Sequence, residues 1–322
     1  MRIVFFGTPD YVIPILKRLN HKFQPRNGES PIVAVVTQQP RPSGRKGRLK
    51  YSSVDEWAHK KKLPIFFDAN ELVKENFEAD VGVLASYGEF IPKSVINHFK
   101  FGILNIHPSL LPKWRGASPV QASIISGDQA GVSIIKLDEE LDHGPIISQF
   151  KEDVSITDTT ETLRNRLFER SAEVLATLIP AYTKGKITLR EQDHKIATFT
   201  RQIKKEDAHI PPQYLKATLQ GRTLKGEWDI PFMKDFTIHC SPTTIHRFIR
   251  AMQPWPIAWT EMKLNKSDKV TKRLKLLESH LKPLSSNTNL PSTKIVLDEV
   301  QLESKNPVTW EQFREGYPDA TF

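Results

Sequence analysis

Cysteine is almost missing from this chain: one residue, Cys240, stands among 322. A single thiol excludes an intramolecular disulfide framework and fits a reducing compartment. Cys240 closes a short apolar segment, 236–240, so a core thiol is a better reading than a nucleophile. No uninterrupted apolar stretch approaches the length of a membrane span. The first residues enter an apolar strand without the charged, apolar and cleavage regions of a secretory leader, and a cytoplasmic protein is expected. No His, Cys and Asp spacing reads as a metal site, no nucleophile elbow presents a Ser or Cys, and no internal repeat is visible. The Gly-x-Gly-x-x-Gly fingerprint is also missing. The first strand breaks at Gly7-Thr8-Pro9 instead, so no dinucleotide is inferred.

With 39% hydrophobic and 26% charged residues the chain fits a folded globular protein, long enough for two domains. Its net charge of +9 is compatible with a polyanionic partner without naming one. The distribution says more. Residues 41–50 hold Arg41, Arg45, Lys46, Arg48 and Lys50 and no acid. Such a run is a solvated loop or, about as readily, an arm that contacts phosphates.

Apolar runs at 3–6, 32–36, 64–67, 81–85 and 131–137 alternate with helical spacing such as Val12, Ile15, Leu16 and Leu19. That order predicts a mainly parallel sheet covered on both faces. Ser53-x-x-Glu56 reads as a capping box, opening a helix that ends in Lys60-Lys61-Lys62. Those cations suit the helix C-terminus, which accounts for them without a ligand. Thr157 or Asp158 can cap a long helix with Leu163, Leu167, Val174, Leu175 and Leu178 as its apolar stripe, closing a first domain over 1–183. Polar 184–205 reads as a linker, and 206–322 as a second domain of short strands, a small β-barrel. In it Ser241-Pro242 opens a helix with Ile245, Phe248, Ile249 and Met252 inward and Arg247 and Arg250 outward. A loop rich in Ser, Asn and Pro occupies 282–292, and Thr309-x-x-Gln312 caps a last helix that stops at Gly316.

The organising stretch is 101–121, FGILNIHPSLLPKWRGASPVQ. Asn105 and His107 stand two apart in an extended run and so project from one face. A rigid turn, Pro108 to Pro112 in sequence, follows at the strand exit, where an open α/β sheet sets its ligand. Asp142 lies in a Gly- and Pro-bearing loop after the 131–137 run and is expected at the same edge. Alone, an Asn and His pair reads as two satisfied polar groups. With a carboxylate the three offer a neutral donor, a titratable imidazole and a proton acceptor. Without a nucleophile or metal spacing, they favour direct transfer of a group to an external nucleophile.

On these residues the chain resembles the methionyl-tRNA formyltransferases, within the folate-dependent formyltransferase superfamily. The shared segments are FFGTPD, TQQPRPSGRKG, SYGEFIP, LNIHPSLLPKWRGASPVQ, LDEELDHGPI, ATFTRQIKKED, IRAMQPWPIAWT, KRLKLLES and LDEVQLESKNPVTWEQFREGYP. The resemblance implies a Rossmann-like formyltransferase domain with an OB-like β-barrel behind it. It implies transfer of formyl from 10-formyltetrahydrofolate to the α-amino group of methionyl initiator tRNA, with no metal, by a monomer. Carried over, the catalytic positions are Asn105, His107 and Asp142, acting through a tetrahedral intermediate with Asn105 and His107 as oxyanion donors. Folate is implied against Tyr87, Gly88, Ile91 and Pro92 and against Ser109, Leu110, Leu111 and Pro112. The 41–50 loop, with Arg41 as the matching arginine, is implied to reach the tRNA. In the barrel Arg247, Arg250, Lys272, Arg273 and Lys275 are the phosphate candidates. The chain departs from the family at Gln39-Pro40, at His143 beside Asp142, and over 210–236. The competing readings are an amino-sugar nucleotide formyltransferase, a folate hydrolase, and a non-catalytic RNA-binding module of the same fold.

Overall fold

The computed structural model describes residues 1–26, 28–43, 47–265, 267–284 and 293–322. Arg45, Lys46 and most of the expected 282–292 loop lie outside them. The chain divides into two compact units: Met1–Arg115 with Ala130–Asp153 and Arg164–Ala197, and Gly116–Gln129 with Val154–Leu163 and Thr198–Phe322. Among the described residues, no helix is long and apolar enough to cross a membrane.

The first unit is built on seven strands, β1 (Ile3–Gly7), β2 (Ile32–Val36), β3 (Ile65–Phe66), β4 (Val81–Ala85), β5 (Ile103–His107), β6 (Ala130–Lys136) and β7 (Ile146–Glu152). Their order across the sheet is β7-β6-β5-β4-β1-β2-β3. Strands β1 to β5 pair in parallel, whereas β6 runs antiparallel to β5 and β7 antiparallel to β6. All five residues of β1 and of β5 are buried, as expected of strands covered on both faces. Strand order turns outward in both directions from β1 and β4, so the crevice between them is the topological switch point. The loops leaving those strands meet there, Thr8 Oγ1 donating to the Tyr87 carbonyl at 3.0 Å.

Helices α1 (Ile13–Phe23), α2 (Ser53–Lys60) and α3 (Thr160–Thr183) accompany the strands. The cap of α2 is Ser52, one residue before the Ser53 expected from the pattern: its hydroxyl accepts from the Asp55 N–H at 3.0 Å. The cap of α3 is neither Thr157 nor Asp158. Thr159 Oγ1 accepts from Thr162 N at 3.3 Å, while Asp158 takes the Ser155 N–H and the Thr162 hydroxyl. The buried stripe of α3 runs Leu163, Leu167, Phe168, Ala172, Leu175, Ala176 and Ile179, and Val174 and Leu178 fall at its margin.

The second unit carries an antiparallel sheet of β8 (Trp259–Met262), β9 (Lys272–Pro283), β10 (Thr293–Leu302) and β11 (Val308–Thr309), in that order. Among the described residues these four strands are the largest sheet of the second unit. The poorly matching 210–236 stretch contains a helix, Pro212–Leu219, and a strand, Glu227–Asp229, that pairs with Thr237–His239. Helix α4 (Pro242–Ala251) opens on a reciprocal Ser241–Thr244 cap with Pro242 at its first turn and buries Ile245, Phe248 and Ile249. Helix α5 (Trp310–Gly316) opens on the Thr309–Gln312 cap. Cys240 is buried, and burial pushes its thiol up to about 11, which leaves it an inert core group at neutral pH.

His246 on α4 is also buried, with Nδ1 3.0 Å from Ser279 Oγ. Burial, helped by the Arg250 cation, pushes the imidazole down to about 4. The unfolded chain therefore binds a proton there at a higher pH than the folded one, and stability falls as pH drops from about 6.5 towards 4. Urea unfolding at pH 7 and 4.5 is expected to show a loss of roughly 2–3 kcal/mol from this residue. His246→Gln is expected to remove that share of the acid sensitivity.

Candidate active site

Asn105 and His107 point from one face of β5, as the period-two spacing requires, and Asp142 reaches both. Asn105 Nδ2 donates to Asp142 Oδ1 at 3.2 Å, and His107 Nδ1 lies 3.4 Å from the same oxygen. The three side chains are buried, with 6%, 4% and 8% of their residues' surface exposed. His107 Nε2 lies 2.9 Å from the Trp114 carbonyl, which only accepts, so Nε2 carries a proton. Nδ1, the other ring nitrogen, faces the Asp142 carboxylate.

The loop bearing Asp142 was expected at the same sheet edge as the exit of β5. It starts at the other end. Because β6 is antiparallel to β5, Lys136 pairs with Leu104, and Leu137 N–H donates to the Ile103 carbonyl at 2.8 Å. The loop then folds back along the face of β5 to bring Asp142 over Asn105 and His107. The turn is tight: Asp142 has φ 49°, in the left-handed region that disfavours most side chains. At Gly144 an added Cβ would lie 1.9 Å from the Lys136 carbonyl oxygen.

Three residues outside this loop, Gln192, Arg115 and His194, carry contacts around it that the sequence patterns did not indicate. Gln192 Nε2 donates to the carbonyls of Asp142 and Gly144 at 2.9 and 2.8 Å. Arg115 Nη2 donates to Gln192 Oε1 at 2.8 Å and lies 2.8 Å from His194 Nδ1. The His194 ring stacks on His143 at 3.9 Å, and His143 Nδ1 lies 2.7 Å from Asp138 Oδ2. Burial lowers the Arg115 guanidinium below its ordinary value, opposed by the carboxylates of Asp142, Asp138 and Glu140. Gln192 and His194 belong to the 184–205 stretch read as a linker. Its first half is thus held against the loop that bears Asp142, and only the departure at His143 gave a signal in the sequence.

The eight residues expected at folate fall on two loops at the C-terminal ends of the adjacent parallel strands β4 and β5. Tyr87 is buried and its hydroxyl donates to Glu89 Oε2 at 3.2 Å; burial and that carboxylate hold it above its ordinary pKa. Gly88 has φ 83°, and Ile91 is buried beside Pro92. On the second loop Ser109 Oγ donates to the Lys113 carbonyl at 2.6 Å. Ser133 Oγ donates to the Ser109 carbonyl at 2.7 Å and accepts from Leu111 N–H at 2.9 Å. Gln149 Nε2 donates to the Leu111 carbonyl at 2.8 Å. Between them Leu110 is half-buried, Leu111 buried and Pro112 half-buried. Pinned backbone groups with apolar walls fit a planar ligand that reads an edge of donors and acceptors.

The basic positions divide by what they touch. Arg41–Ser43 pairs with Arg48–Lys50 as a short hairpin in which Arg41 stands directly opposite Lys50, and Arg41, Arg48 and Lys50 are exposed. Arg247 and Arg250, expected on an outer face, are half-buried. Arg247 Nη1 reaches the Ser126 carbonyl and Arg250 Nη1 the Ser155 carbonyl, at 3.5 and 3.3 Å. Lys272 pairs with Glu303 at 3.1 Å, the Arg273 guanidinium sits 3.9 Å over the Trp259 ring, and Lys275 is half-buried.

A family described as "Formyl transferase" matches residues 1–179, and one described as "Formyl transferase, C-terminal domain" matches 235–318. The methionyl-tRNA formyltransferase of Bartonella henselae is 33% identical over 303 residues, 92% of this chain and 84% of that protein. The chain belongs to the methionyl-tRNA formyltransferase family. The enzyme of that name from Fusobacterium nucleatum is 37% identical over 217 residues, 65% of this chain and 68% of the relative. An N-formyltransferase of Helicobacter canadensis, solved with folinic acid and dTDP-3-aminofucose, shares the fold. Its TM-score is 0.60 at 15% identity, covering 92% of this chain and 98% of that one.

Within this family fold, Gly144 is expected to tolerate no side chain. Gly144→Ala should cost ~2 kcal/mol or more in urea unfolding. Gly316→Ala, where a Cβ meets nothing within 4 Å, should change stability by well under ~1 kcal/mol in either direction.

Proposed function

We propose that this protein transfers the formyl group of 10-formyltetrahydrofolate to the α-amino group of methionyl initiator tRNA, for translation initiation in the cytoplasm. The observation that carries this, within the family, is the sharing of Asp142 Oδ1 by Asn105 and His107 at 3.2 and 3.4 Å. In this reading 1–183 is the catalytic domain, 184–205 a connection and 206–322 the tRNA-binding domain, bounds that take in the family regions at 1–179 and 235–318. Folate fits the Tyr87 to Pro92 and Ser109 to Pro112 positions, where backbone groups are pinned beside Ile91 and Leu111. When bound there it supplies an activated formyl carbonyl.

Asn105 uses one amide hydrogen on Asp142 and keeps the other for the carbonyl oxygen on which negative charge develops. His107 engages both ring nitrogens within the protein, so it joins Asn105 as an oxyanion donor only by giving up Trp114 or Asp142. Its stronger role is to hold a proton with Asp142. Acylation removes a proton from the attacking amine and returns one to the departing nitrogen, and the paired imidazole and carboxylate can take the first and give back the second. An α-amino group with its ordinary pKa near ~8 needs little activation at neutral pH.

Exposed Arg41, Arg48 and Lys50 are the better phosphate contacts, with Lys275 and the ion-paired Lys272 in support. Arg273 faces an aromatic ring, and Arg247 and Arg250 are directed at carbonyls, so these three contribute less. Phosphate contacts position the RNA without reading its sequence.

Formylation of methionyl initiator tRNA with 10-formyltetrahydrofolate tests the proposal. His107→Ala and Asp142→Asn are expected to lower kcat by ~10²–10⁴ with tRNA affinity retained, and Asn105→Ala by ~10²–10³. Wild-type protein that binds tRNA but transfers nothing, or that formylates only an amino-sugar nucleotide, would overturn it. Arg41→Ser with Lys50→Ser is expected to weaken tRNA binding and flatten its logarithmic salt dependence by ~1–2, with kcat nearly unchanged at saturating tRNA.

A further inference from the structure

Asp142 can share its carboxylate with Asn105 and His107 only while its backbone stays at φ 49°, which few residues adopt unaided. Gln192 spans this turn. Its two amide hydrogens go to the Asp142 and Gly144 carbonyls, one on each side of His143. Which end of the amide faces the turn is fixed by Arg115. A guanidinium only donates, so the atom facing Arg115 is Oε1 and the one facing the carbonyls is Nε2. Gln192 and Arg115 are 5% and 4% exposed, so water offers these groups little alternative.

Arg115 Nη2 also reaches His194 Nδ1. By the same rule Nδ1 must accept, so His194 is neutral there with its proton on Nε2. Its ring lies 8° from parallel on His143, which turns Nδ1 to Asp138 at 2.7 Å and Nε2 to Glu140 at 3.9 Å. The charged groups facing the pair are therefore Arg115 on the His194 side and Asp138 and Glu140 on the His143 side, with Asp142 acting on Arg115.

We propose that Gln192, oriented by Arg115, is a positioning residue for Asp142, and that His194 makes this hold sensitive to acid. Protonation of His194 turns Nδ1 into a donor aimed at another donor and sets a cation against the guanidinium. Arg115 then loses an acceptor and is repelled from the position in which its Nη2 holds Gln192 Oε1. The hold is complete while His194 is neutral and weakens as pH falls.

This inference rests on the proposed formyl transfer for its kinetic test, and amide hydrogen exchange over 138–145 tests it independently of activity. Gln192→Leu is expected to speed exchange in that segment selectively. It should also lower kcat ~10–100-fold with both KM values within about twofold, the size expected of a misplaced reacting group. Exchange unchanged, or raised equally through the chain, would overturn the inference. His194→Asn keeps an acceptor at the δ position that does not titrate. It should match wild type at pH 7.5 and keep a kcat ~3-fold or more above that of wild type at pH 5.5. Superimposable pH profiles for wild type and His194→Asn would overturn the acid sensitivity, and would decide the case if Gln192→Leu did not fold. A wild-type protein without formyl transfer would overturn the function and leave the exchange result standing.

Discussion

A carboxylate removed from water must be met by hydrogen bonds and opposite charge, or give up its ionisation. Asp142 is in that position, and much of the first unit follows from how it is met. Its Oδ1 takes an amide from Asn105 and faces the imidazole of His107, which brings two residues of β5 and one loop to a single oxygen. The loop reaches them because β6 reverses against the parallel strands, starts it beside Leu104, and leaves it to return over the face of β5. The return needs a left-handed Asp142 and a side-chain-free Gly144. Such a turn persists only where its surroundings determine it, and carbonyls captured by a buried amide meet that condition.

The sequence was informative where the physics is periodic. The buried strands β2 and β4 fall on the apolar runs at 32–36 and 81–85 residue for residue, because a strand covered on both faces has to be apolar throughout. The Asn105–His107 pair was legible for a similar reason: two residues apart in a strand is one face. Strand direction leaves no such mark. Nothing in 130–136 distinguishes an antiparallel neighbour of β5 from a parallel one, so the sequence shows Asp142 beside His107 but not that its loop starts at the far end of β5 and returns.

Gln192 illustrates a second kind of silence. Its partners are backbone carbonyls, and every residue has one, so no spacing or residue type announces them. A polar stretch with weak periodicity reads as a connector whether it is solvated or, like Gln192, buried against a turn. The caps show the same limit on a smaller scale. Ser52 and Ser53 are equally good caps by type, and tertiary contact separates them: the Ser52 hydroxyl also lies 2.7 Å from Thr37 Oγ1.

Net charge needs a comparable separation before it says anything about partners. Arg247 and Arg250 count fully towards the +9, yet their guanidiniums are turned to main-chain carbonyls inside the second unit. The 41–50 hairpin is the opposite case. Like charges directly opposite one another across two strands disfavour their own pairing, and Arg41 and Lys50 stand so, exposed, with no acid between 41 and 50. A polyanion laid along that ribbon relieves the repulsion as it binds, so the same two charges that weaken the free hairpin favour the bound one. An acidic residue at either position would steady the free pairing of the two strands. Where a charge stands therefore says more about a partner than the sum of the charges does.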